Sequence, residues 1–453
     1  MDPRYPRFFH KSIFTKKLGL KPRPSRATFW LFFFNKYVII VLVQIGIMKA
    51  RFRYRIYPTT GQKHQLAKLF GCVRVVWNDS LASCQEKYTL EENKPTNSEL
   101  QKQFITSAKK TENREWLSEV SAIPLQQSLN DLNQAYQNFF RSTKGQRKGR
   151  PIKPPKFKSR KSKQTARFTK GGFKIGQHKV YLAKIGKLKI VWSRELPATP
   201  SSVTVIKDSA NRYFLSFVVE IQPEVLHQTD NSVGIDLGIK TFATLSDGTK
   251  IDAPKPLKKR IKKYRKLSKS LSHKTKGSKR YEKARARVAK FHSKLKDTRT
   301  DFLHKLSTEI IRENQTVVLE DLNVSGIVKN RKLSRAISDL GWRTFRTFIE
   351  GKAEKYGREF RVISRWEPTS QTCSSCGFKG GKLDLQVREW ECLNCGAKHD
   401  RDENAAINIL VAGGQSETKK RTEPAPPKGA RERGARNGRG GKCKTTAYGS
   451  SSL

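Results

Sequence analysis

The sequence predicts a multidomain α+β protein: an N-terminal β-barrel with a helical insertion, then an α/β core into which a zinc ribbon is inserted. Three observations predict it. Residues 165–219 hold short alternating apolar runs separated by turn residues, the pattern of half-buried antiparallel strands. Further on, two apolar strands each end on an acid, Asp236 and Glu320, with long helical stretches between and after them. Two CxxC pairs then interrupt this second module. At 453 residues the chain also exceeds the length, about 250–300 residues, at which a single core stops growing.

In chain order, residues 29–47 form an apolar run that approaches the length of a membrane span but is interrupted by Asn35, Lys36 and Gln44. The two methionines are Met1 and Met48, and Met48 opens a regular basic strand. Residues 1–47 are therefore expected to be a non-native extension rather than an anchor, with the working start at Met48. Residues 49–57 alternate basic and apolar side chains and stop at Pro58, as a strand with a charged outer face does. From 61 to 85, Leu66, Leu69, Phe70, Val73, Val76, Trp77 and Leu81 recur at helical spacing, and Gly71 marks an expected break into a helical pair. Helix continues to about residue 140, and residues 142–164, rich in Pro, Lys, Arg and Gly, read as a loop that touches phosphate. These pieces make a nucleic-acid-binding module over residues 48–222, with the helical insertion at about 60–140.

The second module is expected over residues 231–414. A basic helical hairpin, turning at Gly277, fills the interval between Asp236 and Glu320, and residues 339–356 read as one amphipathic helix with Trp342, Phe345, Phe348 and Ile349 inward. Residues 415–453 lack apolar periodicity and read as a disordered basic tail.

Charge narrows the function classes. The chain carries 93 Lys and Arg against 39 Asp and Glu, a net charge of +54, so a polyanionic partner is expected. Seven cysteines do not make a secreted disulfide framework: four fall into the CxxC pairs and Cys72, Cys84 and Cys443 are scattered. A reducing, cytoplasmic and nucleoid-associated setting fits, without a membrane partner.

Against so basic a background, acids placed at strand ends point to cation-assisted phosphodiester cleavage, in which carboxylate oxygens hold hard divalent cations. Asp236 ends the strand at 233–235, Glu320 (followed by Asp321) ends TVVL at 316–319, and Asp400 and Asp402 precede a helix at 403–410 that Asp402 could either cap or leave for metal. The cysteines Cys373, Cys376, Cys392 and Cys395 give CxxC, fifteen intervening residues and CxxC, the spacing of an all-sulfur zinc site with no open position, hence a structural one. Lys379, Lys382 and Arg388 on the intervening loop are either nucleic-acid contacts or solvated surface.

Four segments in one order, GIDLGIKTFATLSDG, VVLEDLNVSG, TSQTCSSCG with CLNCG, and HDRDENAAINIL, resemble the TnpB (OrfB) family of transposon-encoded RNA-guided endonucleases related to type V CRISPR effectors, over residues 48–414. The resemblance implies an RNase H-like (RuvC) core over 231–372, a ribbon at 373–396 and the last core segment at 397–414. It implies Asp236, Glu320 and Asp402 as catalytic, magnesium-holding acids, with Asp400 the competing choice for the third. It also implies a guide RNA from the element and a DNA target. Two other readings stay open: a transposase or accessory protein acting in recombination without guide RNA, and a non-enzymatic zinc-dependent DNA-binding protein. A single-strand transposase would need a His-x-His pair, and none of the eight histidines lies two residues from another.

Overall fold

The computed structural model describes residues 28–34, 37–43, 47–147, 149, 151–160, 163–381, 383, 384 and 386–414. The chain divides into two units, 1–47 and 48–453. The first contains strands β1 (Thr28–Phe34) and β2 (Tyr37–Val43), paired antiparallel. Apart from Ile47, the remainder of the expected extension, and the whole of the expected basic tail, lie outside the described residues. No helix among the described residues is long and apolar enough to cross a membrane.

The second unit begins with β3 (Met48–Tyr57), whose alternation buries Tyr54 and Ile56 while Lys49, Arg51 and Arg53 stay exposed. Helix α1 (Thr60–Thr89) follows behind a capping box made by Thr59 and Gln62. It runs straight through Gly71, so the expected helical pair is one helix. The packing explains the difference: Leu66, Leu69, Phe70, Val73 and Val76 are buried in the same core on both sides of Gly71, and this outweighs the roughly 1 kcal/mol that one internal glycine costs. The helical insertion is completed by α2 (Asn97–Gln101), short 3-10 and π turns, and α3 (Ala122–Thr143).

Strands β4 (Gln164–Thr169), β5 (Phe173–Ile175), β6 (Lys179–Leu182), β7 (Gly186–Val191), β8 (Ser202–Lys207) and β9 (Tyr213–Ile221) join β3 in a seven-stranded antiparallel sheet of order β4-β8-β9-β3-β7-β6-β5. The sheet curls so that Phe168 and Phe173, on its two edge strands, pack in one core with α1 and α3. The N-terminal strand, expected to join this β module, lies at its centre.

A second sheet has the order β12-β11-β10-β13-β14, built from β10 (Ser232–Asp236), β11 (Ala243–Leu245), β12 (Lys250–Ile251), β13 (Thr316–Glu320) and β14 (Glu359–Ile363). Strands β10, β13 and β14 are parallel, β11 runs against them, and β12, antiparallel to β11, runs with them again. Between β12 and β13 lie α4 (Pro256–Lys259) and the expected basic hairpin, α5 (Ile261–Ser272) and α6 (Lys279–Glu313), with Gly277 at φ +92° in the turn. After β13 come α7 (Val324–Ile327), α8 (Ser334–Leu340) and α9 (Trp342–Tyr356). The stretch read as one helix from 339 is thus two, because Gly341 takes φ +79° and ends α8. Asp339 is buried at that junction, where its carboxylate accepts hydrogen bonds from the backbone N–H groups of Leu257 and Lys258 in α4.

The ribbon pair β15 (Glu389–Glu391) and β16 (Lys398–Asp400) leads into α10 (Arg401–Ala412). Alternation along β10 and β13 separates the two faces of the sheet. Val233, Ile235, Val317 and Leu319 meet α6, α8 and α9, whereas Val318 meets Ile409 and Leu410 of α10.

Candidate active site and metal centre

Parallel pairing sets the first two acids side by side. Ile235 registers with Leu319, so Asp236 and Glu320 follow together at the C-terminal edge of the sheet. By alternation both belong to the face that carries Gly234 and Val318, the face covered by α10. The helix can lie that close because position 234 has no side chain: a Cβ there would sit 2.1 Å from the carbonyl oxygen of Ala406 and 2.6 Å from the amide nitrogen of Leu410. This contact brings the first turn of α10, with Asp402, into electrostatic reach of Asp236.

The two candidates for the third acid part company here. Asp400 is the N-cap of α10, its Oδ1 accepting from the amides of Asp402 and Glu403 at 3.0 Å each, and its Oδ2 lies 2.6 Å from Lys250 Nζ. Burial raises the Asp400 carboxyl, but the Lys250 ion pair and the cap hydrogen bonds outweigh it and hold the group below the ordinary range. Asp402, freed from capping, couples to Asp236 and accepts from Arg388 of the ribbon loop at 2.9 and 3.1 Å. Lys379 of the same loop is exposed, and Lys382 lies outside the described residues.

Burial, then the charge of Asp402, then that of Glu320, pushes Asp236 up to about 7. Burial followed by Asp321 also raises Glu320. Carboxylates forced together in this way are short of positive charge, which is the donor chemistry that a divalent cation satisfies. Among the described residues, however, only the four cysteines bring three or more potential ligand atoms within 4.8 Å of one another. The acids are neighbours without that spacing, as expected of like charges with Arg388 drawing on one of them.

Asp321, one position on, turns to the opposite face. It accepts from Arg346 of α9 at 2.6 Å and from Arg365, and these two guanidiniums, Arg346 first, hold its carboxyl below the ordinary range. A cleft of about 610 Å³ opens beside Glu320, lined by Arg147, Arg343, Arg346 and Arg365. Sequence reasoning missed this arginine clamp, the Asp339 cap and the role of Gly234. Only the glycine left a signal, as an isolated Gly inside an apolar strand.

The cysteines form two matching turns. Gly377 N–H donates to the Cys373 carbonyl at 2.9 Å and Gly396 N–H to the Cys392 carbonyl at 2.8 Å, and both glycines have positive φ, +72° and +67°. All four sulfurs lie within 4.8 Å of one another, with Cys373–Cys395 at 3.8 Å and Cys376–Cys392 at 3.6 Å. A tetrahedron with metal–sulfur bonds of about 2.3 Å has edges of about 3.8 Å, so the thiolate set fits a tetrahedral ion. Asn404 and Asn408 of α10 tie the ribbon down: both donate to the carbonyls of Thr369 and Thr372, and Asn404 accepts from Ser374 N–H at 2.8 Å.

Three family profiles match the chain. They are described as "Probable transposase" over residues 216–331, "Cas12f1-like, TNB domain" over 342–409 and "Helix-turn-helix domain" over 48–94. A protein of Streptomyces pristinaespiralis named "Putative RNA-guided DNA endonuclease" is 45% identical over 370 residues, covering 81% of this chain and 90% of its own. One from Escherichia coli strain K12, "Putative RNA-guided DNA endonuclease InsQ", is 30% identical over 380 residues, covering 80% and 92%. Among solved structures, the mini-RNA-guided endonuclease CRISPR-Cas phi3 is 10% identical and overlaps at a TM-score of 0.48, covering 83% of this chain and 94% of its own.

Proposed function

The chain belongs to the TnpB (OrfB) family, and from that footing we propose that it is an RNA-guided, divalent-metal-dependent DNA endonuclease of an insertion sequence, cutting phosphodiester bonds in a RuvC-type site. The observation that carries the reading is the meeting of Asp236, Glu320 and Asp402 from β10, β13 and α10 at one sheet edge, in a sheet whose order and strand directions are those of an RNase H-like core. In this reading those three carboxylates hold magnesium. The chemistry a bound cation pair supplies is activation of the attacking water and stabilisation of the leaving oxygen.

The chain's own part is positioning. Strand register fixes Asp236 against Glu320, the Gly234 contact sets the depth of α10, and the Asp400 cap frees the Asp402 carboxylate. The four cysteines hold a structural zinc, with no open position for water. The module at 48–222 and the basic hairpin of α5 and α6 bind the guide RNA and the target DNA through phosphate contacts, while base pairing supplies sequence specificity. The core spans 231–372 and 397–414 around the ribbon, in a cytoplasmic, nucleoid-associated protein. The test is magnesium-dependent cleavage of a supercoiled plasmid by the full chain with RNA from its own element. Cleavage without RNA, or none with it, rejects the reading.

A further inference from the structure

Of the described large apolar side chains that reach solvent, Trp366 is among the most exposed, at 85%. Its position is specific. Ile363 registers with Glu320 across the β13–β14 pair, so Trp366 stands three residues beyond the neighbour of one candidate metal-holding acid. The turn that presents it is braced at both ends. Trp366 N–H donates to Ser364 Oγ at 3.3 Å, Glu367 N–H to the Ser364 carbonyl at 3.2 Å, and the Thr369 carbonyl accepts from Asn404 and Asn408 on the helix that carries Asp402. Arg365, the residue before Trp366, is held by Asp321 and acts electrostatically on Glu320. Arg343 and Arg346 line the same cleft.

A large aromatic face left in water, one residue along the chain from a guanidinium that Asp321 positions, is not explained by packing, because Trp366 is buried in neither sheet's core. It matches what an unpaired nucleotide requires: a flat face for the base and cations for the flanking phosphates. A duplex offers no such face, since its bases are already stacked on each other.

We propose that Trp366 and Arg365 form a docking point for an unpaired nucleotide of the DNA strand that approaches the cleft beside Glu320, Trp366 stacking on the base and Arg365, oriented by Asp321, engaging the adjoining phosphate. The inference rests on the nuclease reading for the identity of the strand, and not for the stacking itself. Trp366 is a positioning residue: it sets which nucleotide lies over the acids and takes no part in bond cleavage.

The test uses the full chain with its zinc retained and no magnesium added, and short single-stranded DNAs, each with one 2-aminopurine, a base whose fluorescence is quenched on stacking. Quenching is expected in the wild type, abolished in Trp366→Ala and largely kept in Trp366→Phe. Removing a single stacking face lowers affinity for the strand roughly 5- to 150-fold, while a matched duplex binds as before. In cleavage assays Trp366→Ala raises KM for the strand more than it lowers kcat. Unchanged quenching in Trp366→Ala overturns the proposal, as does an equal loss of duplex binding. The two readings fail separately. A wild type that cuts, with wild-type KM in Trp366→Ala, leaves the nuclease and removes the docking point. Quenching that behaves as expected in a chain that never cuts does the reverse.

Discussion

Gly234→Ala is the sharpest perturbation the structure offers, because one methyl group tests how strand and helix together place the acids. The added Cβ would lie 2.1 Å from Ala406 O, 2.6 Å from Leu410 N and 2.9 Å from Leu410 Cβ, where ordinary contact begins at 3.4 Å. Two of these atoms are helix backbone, so no rotamer change relieves the clash, and α10 must retreat by roughly 1 Å or more. Overpacking of this kind costs about 1–3 kcal/mol of stability. The larger effect falls on the site. Asp402 leaves with the helix, while Asp236 and Glu320 stay on their strands, and a misplacement of about 1 Å costs on the order of 100-fold in rate. The assay is plasmid cleavage with guide RNA and magnesium, beside thermal unfolding and a gel shift at matched salt. Cleavage should fall about 100-fold and nucleic-acid binding should not, since the basic hairpin lies on other elements. A variant with wild-type rate and melting temperature would refute the claim that this contact sets the position of Asp402.

Asp236→Ala should abolish cleavage and leave RNA and DNA binding intact in gel shifts, and the double variant with Glu320→Ala should be hardly slower than either single one, because the ligands act as a unit. Asp400→Ala should lose a helix cap, about 1 kcal/mol by denaturant unfolding, and keep much of its cleavage, whereas Asp402→Ala loses cleavage; the opposite ranking moves the third ligand to Asp400. Asp236→Asn should stabilise the protein in the absence of divalent cations above pH 7. A folded-state value of about 7, raised from the usual carboxylate value of about 3.9, means that folding is penalised once pH passes about 4 and fully so above 7. The penalty is at most about 4 kcal/mol and less where solvent reaches the carboxyl, so urea midpoints of variant and wild type should diverge from pH 4 to 7 and coincide below; a constant gap defeats the assignment. Cys373→Ser should release zinc on elemental analysis and loosen the ribbon, since a closed thiolate site contributes folding free energy; unchanged zinc content rejects the site.

Much of this architecture was legible because its signals are local. The basic and apolar alternation of residues 49–57, the apolar strands that end on Asp236 and Glu320, and the paired CxxC spacing each specify an element without knowledge of its neighbours. Glycines misled where tertiary packing decides their effect. Gly71 has the sequence signature of a break yet is carried through a helix held by Leu66, Leu69 and Val73, whereas Gly341 sits inside a continuous helical pattern yet ends a helix at positive φ. The order of sheet strands was not readable, and with it went the arginines that meet Asp321, which come from positions 346 and 365. Nothing in the residues around 339 announces a carboxylate that caps a helix beginning at 256. Choosing Asp402 over Asp400 likewise required the cap geometry, as both precede the same helix.

The distance along the chain between the acids has a consequence in time. Asp236 and Glu320 lie on adjacent strands, but Asp402 enters with α10, behind the basic hairpin, three further helices and the ribbon. At about 5–20 residues per second, a ribosome needs roughly 10–30 s to travel from Asp236 to Asp402. Under the proposed function, throughout that interval the emerging polypeptide can already expose the basic surfaces assigned to RNA, while the third acid of the proposed cutting centre is still missing. On that reading a growing chain can collect RNA before it is able to damage the genome beside it.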